Sequence, residues 1–124
     1  MNDFIELASV QGMVDGTMTQ VDADGHQFLV AKVKGRFYVT DARCPHLHGH
    51  LARGVLEGTI LTCPVHHSQF DIADGHVVRW TDFQGAVKTV ADLVRHPRPL
   101  RTYASKVEGD VIFVGPENIP PSAA

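Results

Sequence analysis

Cysteine is scarce in this 124-residue chain: Cys44 and Cys63 are the only two, too few for a disulfide framework. No apolar run approaches the ~20 residues needed to cross a bilayer. The acidic start, Met1-Asn2-Asp3-Phe4-Ile5-Glu6, lacks the basic and then apolar stretches of a signal peptide. A cytoplasmic protein with no membrane role is therefore expected. Cation excess is missing too. Lys and Arg total 11 against 14 Asp and Glu, a net charge of −3, which argues against sequence-independent nucleic-acid binding. Arg95, Arg98 and Arg101 cluster loosely and read as a solvated face. Aromatics are few, with one Trp, two Tyr and six Phe. Trp80 and Tyr103 read as core rings rather than electron relays, since large rings usually serve burial. No Gly-rich phosphate loop, nucleophile–base pair or paired-carboxylate motif is present. In a reducing compartment a single cystine is disfavoured, so metal binding is the better expectation for the two cysteines.

Histidine, by contrast, is abundant. There are eight, and His46, His48, His50, His66 and His67 all lie between Cys44 and Ser68. Two of them complete paired motifs: Cys44-Pro45-His46 and, after sixteen intervening residues, Cys63-Pro64-Val65-His66. Two thiolates and two imidazoles suit a structural zinc ion. They suit equally a [2Fe-2S] centre with one iron held by both cysteines and the other by both histidines. Formal charge gives the mixed cluster its character. Two ferric ions, two sulfides and two thiolates sum to zero with neutral imidazoles, so an electron is accepted more readily than by an all-cysteine cluster. The potential then falls in a window of roughly −150 to +300 mV.

The rest of the chain reads as all-β. Alternating apolar residues predict strands at 4–7, 16–21, 27–33, 37–40, 55–57, 59–63, 69–72, 76–78, 102–107 and 111–114. Asp22-Ala23-Asp24-Gly25, Lys34-Gly35, Glu57-Gly58, Asp74-Gly75 and Gly109-Asp110 punctuate them as turns. Between Gly85 and His96, Val87, Val90, Ala91 and Val94 fall on one helical face, which predicts one short helix stopped by Pro97. The length supports one compact domain with a core. A single domain over 1–115 is expected, with a base of 1–42 and 80–115 and an inserted cluster-binding subdomain over 43–79. The Pro-rich residues 116–124 read as a disordered tail. A hairpin turning at Glu57-Gly58 would bring both ligand loops to one tip, and the longer stretch 47–53 has slack to wrap the site.

Proline follows each cysteine. Gly49, Leu51 and Gly54 stand behind the first pair, and Ser68-Gln69-Phe70-Asp71 behind the second. With these residues the chain resembles the Rieske-type [2Fe-2S] ferredoxin family. Gly75, Pro97-Arg98-Pro99-Leu100-Arg101-Thr102-Tyr103 and Val107-Glu108-Gly109-Asp110 carry the likeness across residues 4–114. The resemblance implies a Rieske-like antiparallel β sandwich or barrel with an inserted cluster-binding subdomain. It implies a [2Fe-2S] cofactor ligated by Cys44, His46, Cys63 and His66, with Ser68 donating a hydrogen bond to sulfur. It also makes Pro97-x-Pro99 the counterpart of a loop that packs against the cluster.

Departures from the family pattern carry information. His48 and His67 stand where glycine is frequent, and histidine tolerates left-handed backbone better than most residues. His48, His50 and His67 are then second-shell or surface groups. High-potential members have a disulfide between the ligand loops where this chain has Gly49 and Val65. They also have a tyrosine where it has Phe70. One hydroxyl donor of two implies a low-to-intermediate potential.

The implied function is that of an electron carrier rather than an enzyme. It would pass single electrons from a flavin- or NAD(P)H-linked reductase to a terminal oxygenase or other oxidoreductase, either freely or as a fixed subunit. The length leaves no room for a mononuclear iron domain. Asp71, Asp74 and Glu57, read as near the loops, would steer a basic partner, although turn chemistry explains Asp74-Gly75 equally well. A structural zinc module that binds a protein is the alternative on the same four ligands.

Overall fold

The computed structural model describes residues 4–45, 49–65, 67–79 and 98–118. Among the described residues, ten strands form two antiparallel sheets: β1 Ile5–Ser9, β2 Thr17–Ala23, β3 His26–Val33, β4 Arg36–Asp41, β5 Val55–Glu57, β6 Ile60–Thr62, β7 Gln69–Asp71, β8 Val77–Arg79, β9 Thr102–Glu108 and β10 Val111–Glu117. The larger sheet has the order β1-β10-β9-β4-β3-β2, and the smaller β5-β6-β7-β8. The edge strands β1 and β2 approach each other, so the larger sheet is nearly closed. The all-β expectation is borne out. The segment in which a helix is expected lies outside the described residues, as does Trp80.

Sequence chemistry explains the long meander. Ala23 pairs with His26 and Val33 with Arg36, leaving two-residue turns at Asp24-Gly25 and Lys34-Gly35. All four turn residues have positive φ, the geometry that matches a hairpin's right-handed twist and that glycine supplies without steric cost.

The chain then leaves β4 and returns beside it. Val39 and Thr40 pair with Tyr103 and Thr102, and the Asp41 N–H donates to the Arg101 carbonyl at 3.0 Å. The long excursion therefore starts and ends on neighbouring strands. Asp41 is the knot at its mouth: Tyr103 Oη donates to Asp41 Oδ1 at 2.5 Å, and His26 Nε2 lies 2.7 Å from the same oxygen. Burial, followed by the bond to Asp41, pushes the Tyr103 phenol well above its usual range.

Strand β3 is covered on both faces, which is why Phe28 to Val33 is so apolar. Phe28 and Val30 join Leu7, Val39, Ile112 and Val114 in one core. Leu29, Ala31 and Val33 point the other way, into a second core with Ala42, Leu51, Leu61, Phe70, Ile72 and Leu100. Cys44 and Cys63 belong to that second core. The Leu100 N–H also donates to the Gly75 carbonyl at 2.8 Å, tying the returning chain to the small sheet.

Three expectations need correction. The last strand runs through Pro116 to Glu117, and the Asn118 N–H donates to the Thr102 carbonyl at 2.8 Å, so the described chain does not become a loose tail at 116. Pro116 is accommodated because the register shifts between Val114 and Glu117, an irregularity of the kind that tolerates a missing N–H. Residues 51–53 are not slack. They form a 3₁₀ turn, Leu51–Arg53, with Leu51 fully buried. Finally, Glu57 and Asp71 do not flank the ligand loops. Glu57 pairs with Ile60, and Ile60 with Asp71, whereas Cys63 follows Thr62 at the opposite end of the small sheet.

Candidate metal centre

Two loops of equal length form the site. The Cys44 N–H donates to the Gly49 carbonyl at 2.9 Å, and the Cys63 N–H to the Ser68 carbonyl at 2.8 Å. Each cysteine thus roots a loop that closes on a carbonyl five residues ahead. An antiparallel bridge between Arg43 and His50 and a bond from Leu51 N–H to the Ala42 carbonyl (3.0 Å) anchor the first loop. The hairpin of β5 and β6, continued into β7, sets the second loop beside it. The expectation that both loops reach one tip is met by direct contact between them. A Cβ added at Gly49 would lie 2.5 Å from Val65 Cγ2 and 3.0 Å from Cys63 Sγ, so only glycine lets the loops come this close. Gly49 and Val65, at the two places where high-potential members carry a disulfide, pack on each other instead.

Both cysteines are 1% exposed and are not joined in a disulfide. Ser68 is fully buried inside the second loop, and Phe70 is fully buried in β7. His67 adopts φ +60°, the left-handed conformation that makes glycine a frequent occupant and histidine a tolerable one. His46, His48 and His66 lie outside the described residues. Among the described residues, no group of three or more histidines, cysteines or carboxylates is placed to hold a metal ion. His50 and His67 are therefore not gathered with both cysteines, and His67 is exposed.

Arginines meet these loops from outside. Arg79 donates through Nε and Nη2 to the His67 carbonyl at 3.2 and 2.9 Å, and Arg98 Nη2 donates to the Pro45 carbonyl at 2.6 Å. Pro99 and Leu100 follow Arg98 along the first loop, where a cavity of about 420 Å³ is lined by Asp41, Arg43, Cys44 and Pro45 among others. The expected proline-bearing segment thus lies against the Cys44 loop at Pro99, while Pro97 is outside the described residues. Sequence reading missed the loop-holding role of Arg79 and Arg98. No local pattern announces it, since Arg98 stands 53 positions from Pro45.

The donor set fits a cationic group. Two thiolates placed in an apolar core would be costly unless a positive partner offset them. Here both sulfurs are buried, on loops in contact, with no disulfide between them. The Rieske [2Fe-2S] domain family matches residues 3–102. The chain belongs to the Rieske [2Fe-2S] family. That membership decides between the two cofactors which the ligand types alone left open, in favour of the iron–sulfur cluster.

Rieske relatives agree. The chain is 28% identical over 119 residues to the ferredoxin component of the alkene monooxygenase system of Xanthobacter autotrophicus, covering 95% of this chain and 85% of that protein. It is 31% identical over 72 residues to the ferredoxin component of the naphthalene 1,2-dioxygenase system of Pseudomonas putida, covering 58% and 69%. Among solved structures, the Sphingomonas yanoikuyae B1 ferredoxin superposes with a TM-score of 0.72 at 27% identity, covering 91% of this chain and 98% of that one.

Proposed function

We propose that this Rieske protein is a one-electron carrier, taking electrons from a flavin- or NAD(P)H-linked reductase and delivering them to a terminal oxygenase or a related oxidoreductase. The observation that carries the reading is the pair of like-closed loops, each rooted by a buried cysteine, within a chain matched by ferredoxin components of oxygenase systems. In this assignment Cys44 and Cys63 hold one iron, His46 and His66 hold the other, and Ser68 donates to sulfur. The cluster supplies one-electron storage without bond making or breaking in the protein.

The chain's own residues supply insulation and a bias. Cys44 and Cys63, packed with Leu51, Leu61 and Phe70, keep water from the sulfur side. The imidazole side is left as the route for the electron. Loops pinned at their bases change little on reduction, which keeps the reorganisation cost low. No described helix is long and apolar enough to cross a membrane. Placement in the cytoplasm, where nicotinamide-linked reductases work, belongs to this proposal, and cell fractionation checks it.

Anaerobically purified protein should contain two irons and two acid-labile sulfides per chain. Its reduced form should give an electron paramagnetic resonance signal with an average g below that of all-cysteine clusters. A colourless protein with stoichiometric zinc would overturn the assignment. Ser68→Ala should lower the midpoint potential and Phe70→Tyr should raise it, both read by redox titration.

A further inference from the structure

We infer that Arg79 and Arg98 are positioning residues that raise the reduction potential of the centre, by holding one carbonyl in each ligand loop and adding positive charge beside it. The inference rests on the ligand assignment above and goes beyond it, since neither arginine is a ligand.

Each contact falls on a residue next to an assigned histidine ligand, on opposite sides of it in the two loops. Pro45 immediately precedes His46, and its carbonyl accepts from Arg98 at 2.6 Å. His67 immediately follows His66, and its carbonyl accepts from two nitrogens of Arg79. The arginines come from different segments of the excursion: Arg79 ends β8 and pairs with Gln69, while Arg98 lies on the returning segment before β9. Both are exposed, and of the residues whose carbonyls they hold His67 is exposed and Pro45 half-buried, so each bond is made at the outer side of its loop. A trans peptide is planar and sets its N–H opposite its C=O. Holding the His67 carbonyl therefore holds the Ser68 N–H pointing away from Arg79, and Ser68 is fully buried. Hydrogen bonds to cluster sulfur raise its potential, so an arginine that orients this peptide acts on the potential through it. Arg79 also restrains the one ligand-loop residue described with positive φ, His67.

Charge acts in the same direction. Reduction adds one electron, and a nearby guanidinium in a mostly aqueous medium favours the reduced form by roughly two- to fourfold. For a one-electron couple tenfold is 59 mV, so threefold is about 28 mV. The acids Glu57 and Asp71 sit at the far end of the small sheet and oppose this less than they would beside the loops.

The test is redox titration of the loaded protein carrying Arg79→Gln, Arg98→Gln, both together, and Arg36→Gln as a control. Arg36 begins β4 at the end remote from the loops and carries the same charge. Each loop-arginine variant should lower the potential by about threefold in electron affinity, the double variant by the product, and the control by distinctly less. Arg79→Lys and Arg98→Lys keep the charge but lose the planar fork. They should fall between wild type and the glutamine variants, with a shifted paramagnetic resonance spectrum.

Loop-arginine shifts no larger than that of Arg36→Gln, with iron and sulfide intact, would overturn the inference. If a glutamine variant fails to load, its lysine counterpart decides, and a potential and spectrum identical to wild type would overturn it. Failure of the underlying ligand assignment looks different: the wild-type protein itself would lack iron and sulfide.

Discussion

The two sheets are built by different means. The larger has strands of five to eight residues, tight turns that fix register, and a core of its own from Leu7, Phe28, Val30, Val39, Ile112 and Val114. The smaller has four strands of three residues each, at the short end of the usual range. Its core is borrowed, because Leu61, Phe70 and Ile72 pack against Leu29, Ala31 and Val33 of β3 and include both cysteines. The larger sheet holds itself, whereas the smaller is held by its neighbour and by its cluster. A metal centre assembled only in the folded state returns its binding energy as local folding energy. The expectation is a self-supporting sheet paired with a site whose order depends on loading.

That contrast breaks most visibly at the ligands. Cys63→Ser should abolish the cluster, measured as loss of iron and sulfide. Hydrogen exchange should then accelerate in β5 to β8 while β2, β3 and β4 stay protected. Equal acceleration in both sheets would mean that they fold as one unit.

Core truncations sharpen the comparison next. Phe70→Ala and Ile112→Ala each remove a fully buried side chain, at costs of about 3–5 and 2–5 kcal/mol by urea unfolding. Only Phe70→Ala should also reduce cluster occupancy, because only Phe70 shares a core with the cysteines.

A smaller effect follows from the contact between the loops. Gly49→Ala would force Val65 and the Cys63 sulfur to move, an overpacking cost of about 1–3 kcal/mol. The paramagnetic resonance spectrum should change with it. Adding Val65→Ala should restore much of the spectrum by removing the closer clash.

The gentlest probe lies at the mouth of the excursion. The Tyr103 phenol titrates above its unfolded value of about 10, so its contribution is intact below pH 10 and is lost as the pH rises beyond it. Tyr103→Phe should cost about 1 kcal/mol at neutral pH through the lost hydrogen bond to Asp41. It should also flatten the decline in stability above pH 10 without moving the midpoint potential at pH 7.

Strands and turns were legible because their signals are local. Alternation of period two marks β2, β9 and β10, and Asp24-Gly25 and Lys34-Gly35 name their own geometry. The cysteines were legible because they are the only two and each starts the same Cys-Pro motif. Pro116 misled because a proline reads as a stop unless the partner strand offers an irregularity, and that irregularity is visible only in pairing. Leu51–Arg53 misled because a three-residue 3₁₀ turn is too short for periodicity to report.

Residue types and spacing alone determined the all-β class and the family and led to the proposed four-ligand set, since side-chain chemistry and short-range periodicity are written along the chain. Only the tertiary structure decided which core encloses the cysteines, that Gly49 touches Val65, that Glu57 and Asp71 lie away from the loops, and that Arg79 and Arg98 hold the loop carbonyls. Those are relations between segments far apart in the chain. They are set when the excursion leaves β4 and closes back onto β9 beside it, and no local pattern encodes that closure.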